Sequence, residues 1–270
     1  MRFQDVTDYF CLKKIILNPW GFIRLKGSQK TQALFEIRFK DGYSVYLRPG
    51  TLDRHIFHRM FVRDEYRIGE LAPGNLDCVI DIGGHIGLFS IRVAQLARKI
   101  LVFEPILENF ELLEKNLSSE RFSHVACFRA AVTDRKKDVK IYKSQSTASH
   151  SAYRSARGGY ELVSGLSLKD IFQENNIIFC DLLKLDCEGS EYDIIYNTDD
   201  EVISRIGRIY MEYHHIDHTN PLWDMPHLKK HLETRGFRVE IKASKAPLKK
   251  SIMYCYRGTG TIHQDLPSNP

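Results

Sequence analysis

The segment Asp81-Ile82-Gly83-Gly84-His85-Ile86-Gly87 constrains the fold of this chain more than any other. An apolar run, Cys78-Val79-Ile80-Asp81-Ile82, leads into it. A second run, Ile100-Leu101-Val102-Phe103, ends on Glu104, 23 residues after Asp81. A buried strand, a glycine turn, a helix and a second strand closed by an acid make a nucleotide-binding βαβ unit. In such a unit the glycines let the backbone approach a ligand, and the second acid can grip two ribose hydroxyls.

The flanking pattern extends this unit into a sheet. Ile86 to Arg98 reads as a helix apolar on most sides, and a second helix carries Ile106, Phe110, Leu113 and Leu117 at helical spacing. Val125 to Val132 reads as a third strand, Leu182-Leu183-Lys184-Leu185 as a fourth and Ile206 to Tyr213 as a fifth. Near-continuous apolar strands alternating with helices predict an α/β fold, a mostly parallel twisted sheet covered on both faces. Phe237 to Ile241 and Ser251 to Tyr256 predict a terminal antiparallel pair.

Ahead of the sheet, residues 1–75 read as a small N-terminal α+β accessory region. Leu34 to Phe39 and Tyr43 to Leu47 alternate around Asp41-Gly42, a hairpin signal, and Asp53 to Tyr66 reads as a helix packing Ile56, Phe57, Met60 and Phe61. The nucleotide-binding domain then covers residues 76–258, and residues 259–270 form a flexible tail. Within the domain, Lys143 to Gly159 is a long polar insertion.

Composition excludes some classes and narrows others. Of 270 residues, 43% are hydrophobic, enough for a packed core and incompatible with a collagen-like or wholly disordered chain. The net charge of +5 is too small for an obligate nucleic-acid binder, and Lys229 to Lys250 alone carries +6. A solvated helix and loop is the plain account of that segment; steering of an anionic acceptor, or of a membrane surface carrying one, is the functional account. The six cysteines (Cys11, Cys78, Cys127, Cys180, Cys187, Cys255) form no C-x-x-C pair and read as core hydrophobes in a reducing compartment. Tyr9 to Ile23 is too short and too interrupted to span a bilayer, and the N-terminus does not resemble a signal peptide, so a cytoplasmic location is expected.

The charge of the glycine turn discriminates between cofactors. A dinucleotide lays its pyrophosphate over the turn and wants a helix N-terminus free of competing anions, whereas Asp81 stands just before this one. His85 and Leu88 also occupy the second and third glycine positions of G-x-G-x-x-G. Both points favour S-adenosylmethionine, which brings an ammonium, a sulfonium and a ribose, over NAD. Asp81 could alternatively cap the following helix.

Asp81-Ile82-Gly83-Gly84-His85-Ile86-Gly87, Phe103-Glu104-Pro105 and Asp186-Cys187-Glu188-Gly189-Ser190-Glu191 together resemble the signature blocks of FkbM-type methyltransferases. The resemblance covers about Val45 to His215 and includes Arg48-Pro49-Gly50-Thr51-Leu52-Asp53 and Glu65-Tyr66. It implies a class I Rossmann-like fold and methyl transfer to oxygen, often on a sugar or a secondary-metabolite hydroxyl. It also implies that Asp81, Gly83 and Glu104 hold the cofactor, with Ala131 near the adenine. Gly84, His85, Gly87, Pro105 and Asp186 complete the expected cofactor-facing set. Gly84-His85 departs from the Ala-Asn more usual in the family, so a polar contact of that Asn would fall to the imidazole.

A hydroxyl acceptor has a high pKa, so a base or a metal must help remove its proton. Open α/β sheets place ligands at the C-terminal ends of their strands, where Asp186, Glu188, Glu212 and His214 are the candidate catalytic residues. Asp186 and Glu188 are expected near methyl and acceptor, and His214 or Glu212 as base. Glu191 divides between a site role and simple complementation of a helix dipole; His58, His215 and His218 read as ordinary histidines. A divalent metal on Asp186, Glu188 and Glu212 would suit hard oxygen ligands but is not expected.

The expected partner is a small-molecule or glycan acceptor, with no nucleic acid; the oligomeric state is left open. An RNA or other nucleic-acid methyltransferase is the main rival, but the chain has neither an Asn/Asp-Pro-Pro-aromatic motif nor a Pro-Cys pair. A non-catalytic nucleotide-binding module would have no need for Asp81, Glu104, Asp186 and Glu188 around one sheet edge.

Overall fold

Residue parity along each strand organises the molecule, because successive side chains leave on opposite faces of a sheet. The computed structural model describes residues 3–31, 33–72, 76–143, 159–214, 220–242 and 251–257. The polar insertion at 144–158, His215, His218, the last part of the basic segment (243–250) and the tail at 259–270 lie outside them.

In chain order the strands are β1 (Phe35–Arg38), β2 (Ser44–Leu47), β3 (Leu76–Ile82), β4 (Ala97–Phe103), β5 (Val125–Phe128) and β6 (Ala131–Val132). They continue with β7 (Lys137–Tyr142), β8 (Tyr160–Leu166), β9 (Leu182–Leu185), β10 (Arg208–Tyr213), β11 (Phe237–Lys242) and β12 (Ser251–Arg257). The central sheet has the order β11-β12-β10-β9-β3-β4-β5. Pairs β10–β9, β9–β3, β3–β4 and β4–β5 are parallel, and β12 is antiparallel to both β10 and β11. The chain winds outward from β3 to β5 and then returns to the other side of β3 at β9. The switch point, and hence the crevice, lies at the C-terminal ends of β3 and β9.

Alternation splits the interior into two cores. Val79, Ile100, Val102, Leu182, Tyr210 and Tyr254 face one side, where they share a single cluster with Leu12, Phe22, Ile37, Val45, Leu47 and Phe57 of the N-terminal region. Ile80, Ile82, Leu101, Leu183, Leu185 and Met211 face the other, against helices Leu168–Glu174, Glu191–Tyr196, Asp200–Ser204 and Met225–Thr234. The N-terminal region thus shares the cover of one face of the sheet with helices Leu88–Val93 and Leu107–Asn116. Its β1–β2 hairpin turns through Asp41-Gly42, with Gly42 at φ +86°. Among the described residues no helix is long and apolar enough to cross a membrane. Of the six cysteines, all free, Cys11 is exposed rather than a core residue.

Several expected boundaries differ. The helix expected over Ile86 to Arg98 covers only Leu88–Val93, since Ala97 onward is drawn into β4 by its parallel register with Leu76. No glycine or proline marks that change, so the apolar run hides it. The helix from Asp53 ends at Phe61, not Tyr66. Val125 to Val132 divides at Arg129-Ala130: β5 stays in the central sheet, and β6 leaves to pair with β8 in a second, three-stranded sheet. That sheet, β6-β8-β7, has weak apolar alternation and was not expected. The late basic stretch includes a strand, β11, as well as the end of helix Met225–Thr234.

Candidate active site

The glycine turn is held from beneath by a lysine. Asp81 and Lys184 sit side by side in the β3–β9 register on the face covered by the N-terminal region. Lys184 Nζ lies 3.0 Å from Asp81 Oδ1 and donates to Gly83 O at 2.6 Å and Ile82 O at 3.2 Å. Ser90 Oγ donates to Asp81 Oδ2 at 2.7 Å. Burial works against the ammonium, but Asp81 and Asp186 raise its pKa above the usual lysine value. Asp81 is fully buried. Asp81 is thus paired with Lys184 and Ser90, and it acts on the turn through the lysine.

The turn presses on the neighbouring strand end. A Cβ at Gly83, where φ is +76°, would stand 1.9 Å from Asp186 O; one at Gly84 would stand 2.3 Å from Val102 Cγ1. These two glycines are thus required for packing as well as for ligand approach. His85 follows with φ +51°, and Gly87, at φ +85°, precedes the first turn of helix Leu88–Val93.

Glu104 lies on the other side of the turn. Its Oε2 accepts from His85 N at 2.9 Å, and its Oε1 accepts from Ile106 N at 2.9 Å and Asn109 Nδ2 at 3.3 Å. Of the roughly four acceptor sites of a carboxylate, one on Oε2 remains. Burial pushes the Glu104 pKa up to about 7 against those hydrogen bonds and Lys184. Arg48 braces this side. It grips Asp53 with Nε at 2.9 Å and Nη2 at 3.0 Å, donates to Asn109 Oδ1 at 2.9 Å, and stands 3.1 Å from His85 Nε2. Burial alone would raise the Asp53 pKa, but Arg48 and His85 hold it low. Pro105 is half-buried, whereas the Ala131 side chain packs in a small core with Ile106, Ile141 and Val163.

The acidic cluster forms where β9 and β10 end. Asp186, Glu188, Glu212 and His214 converge there: His214 Nε2 is 3.8 Å from Asp186 Oδ1, 3.6 Å from Glu188 Oε1 and 3.5 Å from Glu212 Oε1. Glu191, fully buried, accepts from His214 Nδ1 at 2.9 Å and from Cys187 N at 3.0 Å. It serves the site through His214 and is more than a dipole partner. Burial would lower the His214 pKa, yet Glu191, Glu212 and Glu188 raise it well above the usual histidine value.

Two residues from the N-terminal region complete the cluster. Arg59 donates to Glu212 Oε2 and Glu65, and Tyr66 Oη donates to Asp186 Oδ2 at 3.4 Å. Glu212 is fully buried and paired with Arg59. Asp186, its side chain 29% exposed, is the open carboxylate of the group. His58 is an ordinary packed histidine, paired with Asp8 at 2.9 Å.

Sequence reasoning assigned no role to Arg48, Asp53, Arg59, Tyr66 or Lys184. Lys184 carried a usable signal. A lysine inside an apolar strand must find an anionic partner, and Asp81 is the acid of the adjacent strand.

The sheet order, the glycine turn at the switch point and the acids beyond it define the class I methyltransferase fold. The chain matches the Methyltransferase FkbM domain over residues 81–239. It belongs to the FkbM methyltransferase family. Methyltransferase 1 of Beauveria bassiana (strain ARSEF 2860) is 23% identical over 232 residues, which cover 77% of this chain and 90% of that protein. The AMB antimetabolite synthetase AmbE of Pseudomonas aeruginosa is 25% identical over 264 residues, 82% of this chain but 12% of AmbE. The crystal structure of methyltransferase FkbM from Methylobacillus flagellatus KT aligns with a TM-score of 0.51 at 15% identity, covering 71% of this chain and 46% of that one. The present chain therefore spans a minor part of AmbE and less than half of the Methylobacillus protein.

Proposed function

We propose that the chain is an S-adenosylmethionine-dependent O-methyltransferase acting on a sugar hydroxyl of a glycan, a glycolipid or a glycosylated secondary metabolite. One observation carries the reading: carboxylates stand on both sides of the glycine turn, Glu104 on one and Asp186 with Glu188 on the other. That lining opposes a pyrophosphate and suits a ligand with cationic groups and a ribose.

When bound, S-adenosylmethionine supplies an electrophilic methyl group whose transfer depends chiefly on alignment. The residues fit it. Glu104 would accept from the ribose at its remaining Oε2 site, the backbone from Gly83 to Gly87 would lie beneath it, and Glu188 would hold the cationic end. Lys184 and Arg48 keep the turn and Glu104 in position before any ligand arrives, so little ordering is left to the binding step.

Asp186, the part-exposed carboxylate of the cluster, would orient the acceptor hydroxyl. Vicinal hydroxyls suit a cluster rich in acceptor oxygens, which favours a sugar. The test is transfer from methyl-labelled S-adenosylmethionine to free sugars, glycosides, extracted lipids and RNA in parallel, with calorimetry against S-adenosylmethionine and NAD. Label in the glycoside or lipid fractions is the expected result. Label confined to RNA, or tighter binding of NAD, overturns it.

A further inference from the structure

The ends of β9 and β10 carry a feature that methyl transfer alone does not require. His214 is 4% exposed and its Nε2 forms no hydrogen bond, although it points at oxygens of Asp186, Glu188 and Glu212. At 3.5–3.8 Å these oxygens stand beyond the 2.7–2.9 Å of a charge-assisted hydrogen bond. They match donors around a common ion. Two ligands each about 2.1 Å from one cation stand roughly 3.0 Å apart when adjacent and 4.2 Å apart when opposite. One donor atom each of Asp186, Glu212 and His214 lie within 4.8 Å of one another.

The outward atoms of the same side chains are engaged separately. Nδ1 of His214 is bonded to Glu191, Oε2 of Glu212 to Arg59, and Oδ2 of Asp186 to Tyr66. The opposite atoms, Nε2, Oε1 and Oδ1, converge on a shared centre. This is how outer partners orient metal ligands, and a carboxylate behind a histidine is its commonest form.

We infer that Asp186, Glu212 and His214 bind a divalent cation of the manganese(II) type, the ion displacing the proton on His214 Nε2. Two carboxylates favour a hard ion, and one imidazole shifts the preference from calcium and magnesium toward the first-row metals. An acceptor hydroxyl reaching an open position on the ion would become more acidic. That role rests on the methyl-transfer reading above; binding of the ion does not.

The probe is Mn2+ itself, titrated into the chelator-treated full chain while free Mn2+ is followed by its electron paramagnetic resonance signal. The expected result is one ion per chain, with affinity at least tenfold weaker in Asp186→Asn and in His214→Gln. Glu191→Gln touches no ion but orients His214, and an outer partner of this kind is worth about 10–100-fold in affinity. Circular dichroism and S-adenosylmethionine calorimetry on the same samples separate a lost ion from a lost fold, and a failed metal site from a failed cofactor reading. A folded wild-type chain that leaves the Mn2+ signal unchanged overturns the inference. So does stoichiometric binding that Asp186→Asn, at a part-exposed position, does not weaken.

Discussion

Glu104 makes binding of the cofactor's nucleoside half depend on pH. Burial lifts its pKa from 4.5 to about 7 in the folded chain, whereas a ribose hydroxyl donates best to the ionised form. With that value, about one-eleventh of the group is ionised at pH 6 and about ten-elevenths at pH 8, so affinity should rise roughly tenfold between them, about 1.4 kcal/mol. Adenosine is the suitable ligand, since it carries the ribose without a titrating amine, and calorimetry at the two pH values reads the ratio. Glu104→Gln keeps the shape and should bind weakly but equally at both.

Stability moves the other way. A pKa raised on folding gives a contribution that is complete below 4.5 and is lost as pH climbs through about 7, worth about 3 kcal/mol from this group. Denaturant midpoints of the ligand-free chain should therefore fall between pH 5 and pH 8, and fall less in Glu104→Gln. Equal adenosine affinity at pH 6 and pH 8, or a slope that survives Glu104→Gln, refutes the reasoning.

Three other substitutions test the framework of the site. Asp81→Ala strands the Lys184 ammonium in the interior and should cost about 3–5 kcal/mol in urea unfolding, whereas Asp81→Leu combined with Lys184→Met should recover most of that stability without restoring cofactor affinity. Gly83→Ala places a methyl against Asp186 O at a positive φ and should lose about 2–4 kcal/mol together with cofactor binding; a variant as stable as the wild type shows that the turn can shift. Arg48→Lys cannot hold Asp53 with two parallel bonds and also reach Asn109. Thermal melting should drop and S-adenosylmethionine affinity should weaken several-fold, and an unchanged affinity separates the N-terminal brace from the cofactor side.

Residues that make the site were legible to different degrees. Gly83, Glu104, Asp186 and Glu188 belong to short blocks whose spacing follows from a strand running into a turn. The meeting of Glu212 and His214 with Asp186 was also within reach, since both groups close parallel strands and β9 lies beside β10, with Leu185 opposite Met211. Arg59 and Tyr66 were not. Glu65-Tyr66 falls within the family resemblance but carries no role there, Arg59 comes from a helix whose pattern speaks only of packing, and the place of both beside Asp186 and Glu212 depends on which face of the sheet the N-terminal region covers. The end of helix Leu88–Val93 and the division of β5 from β6 were hidden because an apolar run reads alike as helix or strand until its partner's register is known.

The sequence by itself determined the α/β class, the strand-to-turn geometry at Gly83 and the acidic chemistry of the crevice, because each depends on neighbours a few positions apart. Tertiary structure decided what those acids do. Asp81 faces Lys184, Glu212 faces Arg59, and His214 turns one nitrogen to Glu191 and the other to three carboxylates. Each pairing joins residues from separate elements, and a buried charge takes the partner that the fold brings within reach.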